Sequence, residues 1–99
     1  MRRTFLVRPQ AEGDLLEAFL WYEEQRAGLG VDLIEQVERV FDRIREHPLE
    51  PPLVHRTLRK TLVRRFPYAV FFTADDLRID VVAVMHTARD PSKWKRRVE

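Results

Sequence analysis

A phosphodiester can be cleaved without a metal when guanidinium groups stabilise charge on the transferred phosphate and an imidazole or phenol moves protons. This chain of 99 residues carries those types in its second half, at Arg59, Arg65, Tyr68, His86 and Arg89, and it sets Trp94 among Lys93, Lys95, Arg96 and Arg97. If the site is catalytic, Arg65, His86 and Arg89 are its candidates. The same residues also suit a surface that only holds a partner, and then no catalytic residue is required. Structural roles compete at each position. A strand-end histidine can bond to backbone, an arginine can pair with a nearby carboxylate, and Trp94 can anchor the terminal segment while its cationic neighbours stay solvated.

Other chemistries find less support. His47, His55 and His86 are far apart with no HxxxH or HxH spacing, and there is no cysteine, so no metal site is expected. The AGLG run at 27–30 follows a helical pattern and precedes no GK[ST], so neither a phosphate cradle nor a cofactor is expected. A chain without cysteine fits a reducing cytoplasm. The short apolar run at 4–7 is cut by Arg8 and Pro9, so it reads as neither a signal peptide nor a membrane span.

The elements that must position these residues are a hairpin and two helices. Apolar residues fill 66–72, turn chemistry occupies 73–76, and 77–85 returns as a strand rich in β-branched residues. Strict alternation puts Leu77, Ile79, Val81, Ala83 and Met85 on one face, and Arg78, Asp80, Val82, Val84 and His86 on the other. Residues 54–66 alternate basic and apolar side chains and read as a further strand, broken near Lys60 and Thr61. Residues 4–8 read as a first strand. Between them, 11–26 forms a helix with Leu15, Leu16, Phe19, Leu20 and Tyr22 at core spacing, stopped by Gly28 and Gly30. A second helix carries Ile34, Val37, Phe41 and Ile44, with Leu33 and Val40 widening the stripe, and ends around His47 before Pro48. Asp90 and Pro91 offer the start of a short terminal helix.

The result is a single α+β domain over 1–99, in the order β-α-α-β-β-β, with a helical hairpin against one face of a small, mainly antiparallel sheet. The other sheet face, with Ala69, Phe71, Val82 and Val84, is expected to stay partly open. Net charge is only +2, yet residues 1–54 hold 7 basic and 11 acidic side chains while 55–99 hold 11 and 5. The basic half points to an acidic or nucleic-acid partner.

The segments DLLEAFLWYEEQRAGLG, RKTLVRRFPYAVFFT and VMHTARDPSKWKRR, in that order, resemble the RelE/ParE superfamily of bacterial toxin-antitoxin toxins. The resemblance implies a compact α+β fold, neutralisation by a small cognate antitoxin, and one of two targets. ParE-like members poison DNA gyrase; RelE-like members cut messenger RNA on the ribosome. The nuclease branch typically has an arginine in the strand where this chain has Tyr68; a phenol cannot replace a fixed charge, and Arg64 and Arg65, close in sequence, are the residues that could substitute for it. The ParE-like side is therefore favoured. On this reading Arg59, Arg65, Tyr68, His86, Arg89 and Trp94 meet the target, with Arg89 weighing more than His86, while Arg56, Arg64, Ala69, Phe71, Val82 and Val84 meet the antitoxin. An inactive relative that only binds its antitoxin is the remaining alternative.

Overall fold

The computed structural model describes residues 2–98. Strand β1 (Thr4–Val7) leads through Pro9 into helix α1 (Pro9–Gln25), where a residue without an amide hydrogen costs nothing. Helix α2 (Leu29–Glu46) follows, then β2 (Leu53–His55), β3 (Leu58–Leu62), β4 (Tyr68–Ala74) and β5 (Arg78–His86). A short α3 (Ser92–Lys95) and a 3-10 turn at Arg96–Val98 close the described chain. The sheet order is β1-β5-β4-β3-β2, antiparallel except where β1 runs parallel to β5. Among the described residues no helix is long and apolar enough to cross a membrane.

The helical hairpin is held at its turn. Gly28 adopts φ 92°, a left-handed conformation that favours glycine, while a Cβ on Gly30 would sit 2.6 Å from the Phe19 carbonyl oxygen, so only glycine lets the helices approach. The Glu23 carboxylate accepts from the amides of Gly28 (3.0 Å), Gly30 (2.7 Å) and Val31 (3.3 Å), filling the orphan donors of the α2 N-terminus. Helix α2 buries the expected stripe of Leu33, Val37, Val40, Phe41 and Ile44. Helix α1 does not. Its inward stripe is Ala11, Leu15, Ala18 and Tyr22, while Leu16, Leu20 and Trp21 lie more than half exposed. The alanines are what let α1 lie close to β5.

Two departures from strict alternation shape the sheet. The segment expected as one strand is a hairpin, with β2 and β3 joined at Arg56 and Thr57 and not broken at Lys60. Arg56 stands at φ 53° there, so the turn lacks the glycine or asparagine that would mark it in sequence. In β5, Phe71 faces Ala83 but the next residue, Phe72, faces Val81, leaving Val82 as the extra residue of a bulge. The facing therefore switches. Ile79, Val81 and Val84 join the helix-side core, whereas Val82, Ala83 and Met85 join a second cluster with Leu58, Ala69, Phe71 and Trp94. The second face is thus closed by the chain's own C-terminal segment, with Trp94 stacked on Phe71 at 4.4 Å. The expectation of an open apolar face at Ala69, Phe71 and Val82 is corrected accordingly, and Val84 lies against the helices.

Candidate functional site

Cross-strand register brings the first candidates together. Tyr68 at the start of β4 pairs with His86 at the end of β5, and the Thr87 amide donates to the Pro67 carbonyl at 2.8 Å, extending the ladder past the strand ends. Their rings meet edge to face at 5.4 Å, and Tyr68 in turn touches Tyr22 of α1 at 6.0 Å. Tyr22 continues the ladder to Phe66 at 5.1 Å and to Trp21 at 4.9 Å. Of these rings, Trp21, Tyr22, Tyr68 and His86 line a cleft of about 290 Å³ that also takes in Asp14, Glu17 and Arg89. It is mouth-shaped: aromatic within, with a carboxylate and a guanidinium at the lip.

The electrostatics of the cleft follow from its burial. Desolvation pushes the Tyr68 phenol up, Tyr22 and Glu17 push it further, and Arg89 opposes them. Burial likewise raises Tyr22. Both phenols therefore stay protonated at physiological pH. His86 Nδ1 accepts from the Ala88 amide at 3.0 Å, which places the proton of the neutral ring on Nε2. Arg89 is exposed and makes no ion pair among the described residues, so its charge faces outward. Among the described residues no group of three or more histidine or carboxylate side chains converges to hold a metal ion.

Two residues that the sequence did not single out for a site hold the cleft in shape. Strand β1 ends opposite Val81, which leaves the next stretch of β5's edge without a strand partner. Side chains finish that edge. Asp14 Oδ2 accepts from the Val84 amide at 3.0 Å, and the Arg97 guanidinium donates to the Val82 carbonyl at 3.1 Å. Arg97 also grips Asp14 with two bonds of 2.6 and 3.0 Å. Side-chain exposures of 19% for Arg97 and 15% for Asp14 make this a largely buried pair. It ties α1, the bulge and the C-terminal segment into one unit.

The other expected residues are dispersed. Arg65, at φ 70° in the loop between β3 and β4, places its guanidinium over Phe66 at 5.7 Å and reaches Asp32 only at 3.8 Å. It flanks the aromatic ladder without entering the cleft. Arg59 donates to the carbonyls of Leu49 (3.0 Å) and Pro51 (2.7 Å), which ties the proline connector down to β3 and leaves Arg59 outside the cleft. Trp94 is the anchor, buried on the far face. Arg56 and Arg64 are exposed, in contrast to the buried Ala69, Phe71, Val82 and Val84.

Comparison with known proteins gives two findings. A family model described as the ParE toxin of a type II toxin-antitoxin system, parDE, matches residues 5–91. Among solved structures, one described as the chromosomal ParDE TA system from P. aeruginosa is similar to this chain with a TM-score of 0.77 and 11% sequence identity, covering 86% of this chain and 96% of that one. At that identity the likeness carries the fold. No curated protein matches the chain.

Proposed function

The chain belongs to the ParE toxin family of type II toxin-antitoxin systems, and from that premise we propose that it acts by binding DNA gyrase and stabilising one state of that enzyme, with no chemical step of its own. The observation that supports binding over cleavage is the make-up of the cleft. Metal-free cutting of RNA requires an activated nucleophile, charge on the phosphate and a protonated leaving oxygen, each proton-transfer group contributing about 10²- to 10⁴-fold. The cleft provides one imidazole, whose Nδ1 is already engaged, two protonated phenols, a single guanidinium, the Glu17 carboxylate and Asp14, whose carboxylate is taken up by Arg97 and the Val84 amide. Arg65, the other candidate, sits at the far side of Phe66. What this ridge offers is adhesion: stackable rings between the outward charges of Arg65 and Arg89.

A cognate antitoxin is the second partner in this reading, and Arg56 and Arg64 are exposed cations suited to meeting acidic side chains on it. The competing reading is a ribosome-dependent endoribonuclease that uses Arg65, His86 and Arg89. One preparation decides. Gyrase supercoiling and gyrase-linked DNA breaks are measured beside cleavage of message on translating ribosomes, with antitoxin as the control. Inhibited supercoiling with intact message is expected, and Arg89→Ala should weaken inhibition more than His86→Ala. Antitoxin-sensitive cuts in ribosome-bound message with normal supercoiling would overturn the proposal, and no effect in either assay would mark a chain that only binds its antitoxin.

A further inference from the structure

Strand β2 pairs with β3 only at Leu58 and Arg59, which leaves the outer edge of β3 without a strand partner beyond them. Between the C-terminal turn of α2 and the β2–β3 hairpin lies a groove of about 740 Å³, sharing no lining residue with the His86 cleft. Ile44 and Val63, members of the core, form its floor, and Val54 and Leu62 stand in its walls. Leu62 is 58% exposed, and Leu49 and Leu53 beside the groove are each 56% exposed, so the apolar surface continues past its rim. The rim itself is cationic. Arg43, Lys60 and Arg64 make no ion pair among the described residues, whereas Glu50, the acid at the rim, already meets His47 at 3.2 Å.

We propose that this groove is where the antitoxin anchors, through an amphipathic segment that lays apolar side chains against Leu62 and Val54 and directs acidic ones to Arg43, Lys60 and Arg64. The inference rests on the toxin reading above. Charge and shape together select the occupant. Nucleic acid would use the three cations but gain nothing from an apolar floor, while an uncharged apolar segment would leave three cations unpaired as they desolvate. The outer face of α1 is the rival surface, since Leu16 and Leu20 are exposed there, but it carries the exposed Glu12, Glu17 and Glu24, which would repel acidic side chains. Because groove and cleft have no lining residue in common, anchoring and target binding are separable by mutation.

The test uses the full chain and, as probe, the small protein encoded by the reading frame adjoining its gene. Calorimetric titration compares wild type with Leu62→Glu, Lys60→Glu and, on α1, Leu16→Glu. All three sites lie at the surface or near it, and thermal melts confirm folding. Expected are at least tenfold weaker binding for the two groove variants, none for Leu16→Glu, and cells that die from Leu62→Glu despite co-expressed antitoxin. Wild-type affinity in both Leu62→Glu and Lys60→Glu, or loss only in Leu16→Glu, would overturn the groove assignment while leaving the toxin reading intact. If the wild-type chain does not bind the adjoining protein at all, the toxin-antitoxin reading falls, and this inference falls with it.

Discussion

Replacing Asp14 by asparagine tests whether the edge of β5 depends on side chains. In the native chain one carboxylate receives three donors, two from Arg97 and one from the Val84 amide. Asparagine keeps the shape but has one acceptor oxygen, and its amide group would aim a donor at a donor. Arg97 is then left at the Val82 carbonyl without its counter-charge. Breaking a fully buried pair from one side costs about 3–5 kcal/mol, and a hydrogen bond to a charged group contributes about 1.5–3 kcal/mol. With exposures of 15% and 19% the pair is partly solvated, which moves the expected loss to about 2–3 kcal/mol. Against a total stability of about 5–15 kcal/mol that is a large fraction, and it corresponds to a melting temperature lower by about 10–20 °C. Urea unfolding followed by circular dichroism measures it, and Arg97→Gln with the double variant completes a cycle. Coupling of at least about 1 kcal/mol is expected. A loss within about 0.5 kcal/mol of zero in Asp14→Asn, or additive single variants, would show that the edge is solvated and self-sufficient.

Trp94→Ala should cost about 3–5 kcal/mol, because the indole is 9% exposed and stacked on Phe71; binding of a hydrophobic dye should rise as the second face opens, and an unchanged urea midpoint would show that the terminal segment is dispensable. Acid should weaken the helical hairpin through Glu23, whose carboxyl is held below its ordinary range chiefly by the Gly28 amide, against a smaller desolvation effect. A depressed folded pKa means stability that is present above the unfolded value of about 4.3 and is lost as pH falls through the folded one. Wild type should therefore exceed Glu23→Gln at neutral pH and converge with it in acid; a pH-independent difference would rule out a charge effect.

Sequence periodicity located α2 accurately because its large apolar residues and its buried stripe coincide. In α1 they do not coincide. Leu16, Leu20 and Trp21 face outward while Ala11 and Ala18 face in beside Leu15 and Tyr22, so a reading weighted by side-chain size placed the stripe only in part. The β4–β5 hairpin was legible from local pattern, as was the glycine turn, whereas the meeting of Tyr68 with His86 follows from the register across the hairpin. The bulge at Val82 was not, since a run of valines has no polarity to reveal a switch of face. Nor was the Asp14–Arg97 pair, whose members stand 83 residues apart with no local spacing to connect them. The Arg56 turn escaped because the chain accepts a left-handed arginine there instead of advertising it with glycine.

The parallel pairing of the first strand with the last also sets a timetable. Arg8 and Asp80, joined at 3.0 Å, are 72 residues apart in the chain, so at about 5–20 residues per second the ribosome needs about 4–14 s to make the second after the first. During that interval the helical hairpin, built from local contacts, has its residues available, but β1 has nowhere to dock. The cleft needs both Tyr68 and His86. A nascent chain that has not yet reached His86 therefore lacks the cross-strand partner of Tyr68, and the aromatic cleft forms only after β5 has been made.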